Sequence, residues 1–346
     1  MNLRTTLMAA AFLTLAGYAQ NSEDKKFSPT LNVHGTVRAK YEYQTQEGEG
    51  RFEVRNARVS LDGNVVKRVA YKLEADFSDE GRMRMLDAYT RINLAKGLDF
   101  TIGQMRVPFT IDAHRSPHLQ YFANRSFIAK QVGDVRDVGA TLAYKFRAGI
   151  PITLQAGMFN GSGLTNQKDF WTSNVNFSAK AQLQLPAGFH LVGSVQKIRP
   201  DAHTVMLYDA GLFYEDHGLH IEAEYLRKHY EHGDFHEVNA ANAFACYDIA
   251  LQRKWFSKIS PLLRYDYMDE HSDGRRYLNG TLDAAGKLIA TDAQRSRLTG
   301  GLTFSFGIKG FQSDLRLNYE KYIYPHHATP KTSERDKIVF ELMTHF

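Results

Sequence analysis

Between Leu31 and Tyr43 the side chains change character at every step. Leu31, Val33, Gly35, Val37, Ala39, Tyr41 and Tyr43 share one face, while Asn32, His34, Thr36, Arg38, Lys40 and Glu42 share the other. Period two is the repeat of an extended chain, so this stretch predicts a strand with one apolar and one ionic side. The pattern returns at 69–77, 86–94, 138–146, 152–158, 175–185, 206–214, 219–225, 259–267, 298–306 and 311–319. With weaker runs between them, the chain reads as all-β with about sixteen strands. An antiparallel sheet closed into a cylinder can turn its apolar face to lipid and its ionic face to enclosed water. A soluble sandwich or solenoid would instead make the apolar face a core and spread aromatic residues along the strands. Here they gather near strand ends, as Tyr41 with Tyr43, Tyr144 with Phe146, Tyr265 with Tyr267 and Phe304 with Phe306, a placement that fits girdles at two lipid–water interfaces.

The two ends of the sequence agree with that reading. Residues 1–19 carry Arg4, an apolar stretch from Leu7 to Ala16 and small residues at Gly17 and Ala19, the layout of a cleaved signal peptide. A stretch of about ten residues is too short to cross a bilayer as a helix, which takes about twenty. Residues 20–30 then read as a short periplasmic segment and 31–346 as a single barrel. At the far end Ile338, Phe340, Leu342, Thr344 and Phe346 alternate with Val339, Glu341, Met343 and His345. A last strand ending on an aromatic residue resembles the closing strand of bacterial outer-membrane barrels. That likeness implies the barrel assembly machinery as a partner and a setting of outer-membrane lipid and lipopolysaccharide. Cys246 is the single cysteine and reads as a small packed side chain with no internal disulfide partner.

Connection lengths alternate as well. Short turns are predicted at Ala95 to Gly97, Arg147 to Gly149, Pro186 to Gly188, Asp216 to Gly218 and Gly307 to Gly310. Long polar loops are predicted at Thr110 to Val135, Asn160 to Ser173, Met268 to Gln294 and Lys321 to Arg335. Short periplasmic turns and long extracellular loops are the asymmetry of a transmembrane barrel, with both termini in the periplasm.

The formal charge is +5. Residues 20–136 hold 19 Lys and Arg against 15 Asp and Glu, and residues 137–346 hold 23 of each. So small an excess is no nucleic-acid-binding signature, but inside a confined space it counts. A cation facing lipid at mid-bilayer costs about 2 to 4 kcal/mol, so Arg38, Lys40, Arg58, Lys72, Arg91 and Arg106 are predicted to point into the lumen. Glu42, Asp62, Glu74, Asp76 and Asp87 share that face and can pair with them. Apolar residues sit at even positions through Phe52 and Val54 and at odd ones from Ala57 to Leu61. A β-bulge near Arg55 and Asn56 accounts for the change of phase. It would aim Arg55 and Arg58 inward, unless Arg55 reaches water at the rim.

Several landmarks follow one another in a telling order. They are Phe52, Arg55, Ala57 and Arg58, then Lys72 to Phe77, Leu86-Asp87-Ala88-Tyr89, Gly103-Gln104, Val107-Pro108-Phe109, Asn124-Arg125-Ser126 and Arg136-Asp137-Val138-Gly139. Together they resemble the phosphate-selective porin O and P family over Phe52 to Phe146, with weaker echoes at Phe159-Asn160-Gly161 and Arg264-Tyr265. The resemblance implies a sixteen-stranded trimeric channel whose third extracellular loop folds into the lumen, and arginines and lysines that conduct anions. The corresponding loop begins after Pro108 and holds His114, Arg115, His118, Arg125 and Lys130 against Asp112 and Asp134.

The expected function is therefore passive diffusion of small anions, with phosphate the leading candidate, through a homotrimeric outer-membrane porin. Rings of Arg and Lys favour anions, and a guanidinium can hold two oxygens of a phosphate or carboxylate at once. Arg115, Arg125 and Lys130 rank first for the pathway and Arg136 next, ahead of the wall residues. A weakly selective general porin is the nearest alternative. A barrel enzyme built on His34, His190 or His220 and a surface adhesin built on the long loops are the other classes. His229, His232 and His236 with their acidic neighbours read as a solvated loop, not a metal site, and no cofactor is expected.

Overall fold

The computed structural model describes residues 27–346 apart from 80–81, 132–134, 165–166, 201–202, 252–255, 275–276, 309 and 327. The expected signal peptide, 1–19, lies outside the described residues. The strands are β1 (Asn32–Gln44), β2 (Glu49–Val66), β3 (Val69–Asp79), β4 (Arg82–Ala95), β5 (Leu98–Arg106) and β6 (Arg136–Ala148). They continue as β7 (Ile150–Phe159), β8 (Asn176–Gln184), β9 (Phe189–Ile198), β10 (Val205–Asp216), β11 (Leu219–Tyr230) and β12 (Val238–Tyr247). After Asp248, β13 (Ile249–Ala250) continues β12 along the same neighbour, β14 (Lys258–Met268). A small hairpin of β15 (Tyr277–Leu282) and β16 (Leu288–Ala290) precedes β17 (Arg295–Ile308), β18 (Phe311–Ile323) and β19 (Lys337–His345).

Each barrel strand pairs antiparallel with its sequence neighbour, and β1 pairs with β19 from Thr36 opposite His345 to Gln44 opposite Lys337. With β12 and β13 acting as one strand, the result is a closed barrel of sixteen. Closure leaves no edge, which is what lets a sheet sit in hydrocarbon. The seam is finished by Phe346, whose backbone exchanges bonds of 2.8 and 3.0 Å with Gly35. The Phe346 ring occupies the space where a Cβ on residue 35 would stand, 2.1 Å from Cζ. An aromatic ring thus covers a glycine on the neighbouring strand.

The two faces separate as the alternation predicts. On β1 Thr36, Arg38, Lys40 and Glu42 are buried inside while Val33, Val37 and Tyr43 are exposed outside. Aromatic pairs mark both rims of the outer face, Tyr41 with Phe52 at one and Tyr144 with Phe146 and Phe189 with Tyr214 at the other. No helix among the described residues is long and apolar enough to span a membrane; the crossing is by strands. The bulge falls where the phase change places it. Arg38 pairs with Asn56 and Ala39 with Val54, leaving Arg55 as the extra residue.

The tight connections after β4, β6, β10 and β17 lie at one end, and the long loops 107–135, 160–175, 269–294 and 324–336 lie at the other. Gly97 and Gly149 adopt φ of 76° and 73° in two of the turns, a region that only glycine enters without strain.

The facing of β6 gives a direct test. Leu142→Arg, on the lipid side, should destabilise the barrel in vesicles by about 2 to 4 kcal/mol. Ala143→Arg, one residue later on the water side, should cost less than about 1 kcal/mol in the same urea titration.

Candidate functional site

Pro108 cannot continue β5 as a ladder donor, and after it residues 109–131 turn into the barrel. This inner loop carries Phe109, Ile111, Phe122, Phe127 and Ile128, all buried, on two 3-10 turns (Asp112–His114 and Pro117–Leu119) and a short helix α1 (Phe127–Gln131). Phe127 and Ile128 pack with Leu207, Leu226, Val238 and Met268 from the inward faces of β10, β11, β12 and β14. Ile111 seats on Gly211, where a Cβ would come within 2.5 Å of it. One half of the lumen is filled by this apolar packing.

An irregular backbone inside a barrel must have its polar groups paired, and here the wall supplies the partners. Among the donors, Arg38 reaches the carbonyl of Ala123 at 2.7 Å, and Arg264 reaches that of Asn124 at 3.0 Å. Arg297 donates to the carbonyl of Arg125 at 2.6 Å, Arg106 to that of His114 at 2.5 Å, and Lys180 to that of Thr110. Among the acceptors, Glu224 takes the N–H of Ile111 at 2.5 Å, Asp266 that of Phe127 at 3.3 Å and Asn318 that of Ala123 at 2.9 Å. The clamping groups are themselves paired, as Arg38 with Glu341 and Arg264 and Arg297 with Asp266.

These contacts locate each residue expected on the anion pathway. Arg115 is partly buried on the filled side, bonded to Glu222 at 2.9 Å and to Asp112. Burial alone would lower its pKa, but the two carboxylates outweigh it and raise the pKa. Arg125 donates to the carbonyls of Ala113 and Arg115, and burial pulls its guanidinium down to about 9. The Lys130 side chain is outside the described residues. Lys40 pairs with Glu42 and Glu53, and Arg55 lies 3.9 Å from Glu53 with its side chain 40% exposed. Arg58, Lys72 and Arg136 form a lattice with Glu74, Asp76 and Asp87 at 2.7 to 3.3 Å.

Arg91, Arg106 and Lys145 differ from these. No described carboxylate lies within 4.0 Å of any of the three. Arg91 donates to Thr101 and Tyr89 at 3.3 Å. Beside them Asp99 accepts a bond from Asn93. All three cations line a cavity of about 280 Å³ between the inner loop and the wall from β3 to β7. A neighbouring cavity of about 210 Å³ shares Lys72 and Ser116 with it and runs to the seam at His34, His118 and His345. The space left between the loop and β12–β14 is about 10 Å³, the lower limit for a single water. Open volume is therefore displaced to the β1–β7 side.

Lys145 and the clamping residues Glu222, Glu224, Asp266 and Arg297 carry no role in the sequence analysis, and Arg264 appears there only as a weak family echo. Their signal was present, since each occupies an inward position of an alternating strand. The histidines resolve into separate contacts. His229 meets Glu237, His236 meets Asp283, His34 meets Asp62 and His220 meets Glu222. His190 stacks on Phe213, and no metal-holding cluster of His, Cys, Asp or Glu occurs among the described residues.

Comparison with known proteins now has a geometry to explain. The family model described as phosphate-selective porin O and P matches residues 27–188. Residues 27–188 are similar to that family. The matched stretch takes in β1 to β8 and the inner loop, so it includes the wall that lines both cavities. A search of curated proteins found no match. Among solved structures, an anion-selective porin from Comamonas acidovorans aligns with TM-score 0.63 at 10% identity, covering 92% of this chain and 99% of that one. The outer membrane channel DcaP of Acinetobacter baumannii aligns with TM-score 0.60 at 15% identity over 93% and 98%. OmpT of Vibrio cholerae, in a trimer form, gives 0.60 at 12% over 92% and 99%. These likenesses carry the barrel fold over its whole circumference, and the protein is an outer-membrane β-barrel.

Two measurements test the clamp in this barrel. Removing one partner of a buried ion pair costs about 3 to 5 kcal/mol, so Arg264→Ala with Arg297→Ala should free the inner loop and raise both single-channel conductance and current noise. The second measurement uses His118, whose ring stacks on His345 at 3.8 Å. Burial and then the His345 ring lower the His118 pKa to about 4, with Arg106 and His34 adding to the shift and Glu74 opposing it. The proton is therefore held more weakly when the loop is docked. Docking should be intact above the free-histidine value of about 6.5 and weaken as pH falls from there towards 4. Open-channel noise should rise over that interval, and His118→Phe should reduce the rise, the remainder coming from His114 of the same loop, which burial lowers to about 3.

Proposed function

We propose that this porin passes small anions by passive diffusion, inorganic phosphate among them, along the wall from β1 to β7. The observation that carries the reading is that Arg91, Arg106 and Lys145 stand beside the larger cavity with no described carboxylate within 4.0 Å. In the same lattice Arg58, Lys72 and Arg136 are matched by Glu74, Asp76 and Asp87. The remaining field comes mainly from these cations, with Asp99 and the already paired Asp87 as the opposing charges of the cavity, and low-dielectric walls focus it on what enters. The anion-selective porin that shares the fold supports the same direction. The extensive pairing of lumen charges favours a second reading, a weakly selective porin. The trimer form of a barrel with this fold supports a homotrimer. The long-loop end is assigned to the cell exterior, and delivery by the barrel assembly machinery into lipid and lipopolysaccharide goes with that orientation. The reading assigns no catalytic step.

Reversal potential in a KCl gradient across a planar bilayer tests it. The expected sign is that of chloride preference, and Arg91→Gln, Arg106→Gln and Lys145→Gln together should remove most of it. Cation preference in the unmodified porin would refute the reading. Indifference to the triple substitution would favour the weakly selective alternative.

A further inference from the structure

The larger cavity has a composition that a compact oxyanion does not explain. Its cations do not converge. Arg106 stands five residues beyond Thr101 on β5, Arg91 lies opposite Thr101, and Lys145 lies four residues past Thr141 on β6. At about 3.3 Å per residue their backbones are staggered by roughly 16 and 13 Å along the wall. A phosphate needs several donors around one point to satisfy its oxygens, and the fourth cation of the chamber, Lys72 opposite Tyr89 on β3, is already paired with Glu74 and Asp87. Asp87 and Asp99 line the same chamber and act against a compact ion with more than one negative charge.

Between the cations an apolar strip runs through an otherwise polar wall that also carries Thr101, Ser116, Thr141 and Gln155. Tyr89, Met105, Pro108 and Ala143 line the chamber, and the Arg91 guanidinium lies 5.3 Å from the centre of the Tyr89 ring. A planar fork beside an aromatic face suits a flat, singly charged head group with a greasy body. Size points the same way. At about 30 Å³ per water, 280 Å³ holds roughly nine water molecules, or a ligand of about nine heavy atoms. Inorganic phosphate fills about half of that.

Resting on the anion-conducting reading above, we propose that the chamber beneath the inner loop is a binding site for organic carboxylates with an apolar body, which it holds in preference to inorganic phosphate. The carboxylate lies on Arg91, and the body lies along Tyr89 and Met105 towards Pro108. Phosphate and chloride pass the same chamber with shorter stays.

The test is block of single-channel chloride current by two probes, benzoate and inorganic phosphate, at pH 7 with the full chain in planar bilayers. Reversal potential in KCl alone is read first, and a cation preference at that stage overturns the underlying anion reading. With chloride preference established, benzoate should block at a concentration at least about tenfold below phosphate, equivalent to about 1.4 kcal/mol. Tyr89→Ala should weaken benzoate block about three- to tenfold and shift phosphate block by less than about twofold. Arg91→Gln should weaken both. Phosphate block at an equal or lower concentration than benzoate overturns the site, as does benzoate block that Tyr89→Ala leaves unchanged.

Discussion

The structure turns on how an irregular stretch of backbone survives inside the barrel. Residues 109–131 bring carbonyls and N–H groups into a protein-filled lumen where few waters fit, and each unpaired group would cost about 1 to 3 kcal/mol. Charged side chains of the wall take the place of water. Arg38, Arg264, Arg297 and Arg106 donate to loop carbonyls, and Glu224 and Asp266 accept loop N–H groups. Much of the lumen's ionic character is thus spent on holding the loop, and charge on the inner wall is poor evidence by itself for an ion path.

That division of labour sets where transport can occur. The loop packs against β10 to β14 with Phe127, Ile128 and Ile111, so that side is closed. On the other side it faces β1 to β7 across two adjoining cavities. The channel is off-centre, and the three cations without carboxylate partners stand on its wall. Because the ion pairs of Arg58, Lys72 and Arg136 neutralise their neighbours, a few residues decide the sign of the field. The same crowding gives the lane apolar stretches at Tyr89 and Met105, which bear on what lingers there.

The barrel was legible in the sequence because its cause is local. A side chain's face follows from the parity of its position, so alternation at Leu31 to Tyr43 or Ile259 to Tyr267 reports lipid and lumen directly. Even the bulge at Arg55 was visible, as a break in parity at Phe52 to Leu61. The site was legible only in part. Parity places Arg38, Lys72 and Arg91 inside, but it carries no information about partners across the barrel. Arg115 finds Glu222, 107 residues away, and Arg125 turns to the carbonyls of its own loop, contacts that depend on tertiary packing. The apolar filling at Leu207, Leu226 and Val238 was hidden for a related reason. Inward positions that happen to be greasy look like weak alternation until the loop that covers them is known.

The central claim is that one half of the lumen conducts while the other is filled by the clamped loop. Cysteine accessibility tests it most directly, starting from Cys246→Ser so that no native thiol remains. Ala143→Cys lines the larger cavity, whereas Ala240→Cys is fully buried on the filled side. A water-soluble, charged thiol reagent should react at position 143 within the open channel and cut the current stepwise, with position 240 unreactive in the folded barrel. Equal reaction and equal loss of current at both positions would contradict the account.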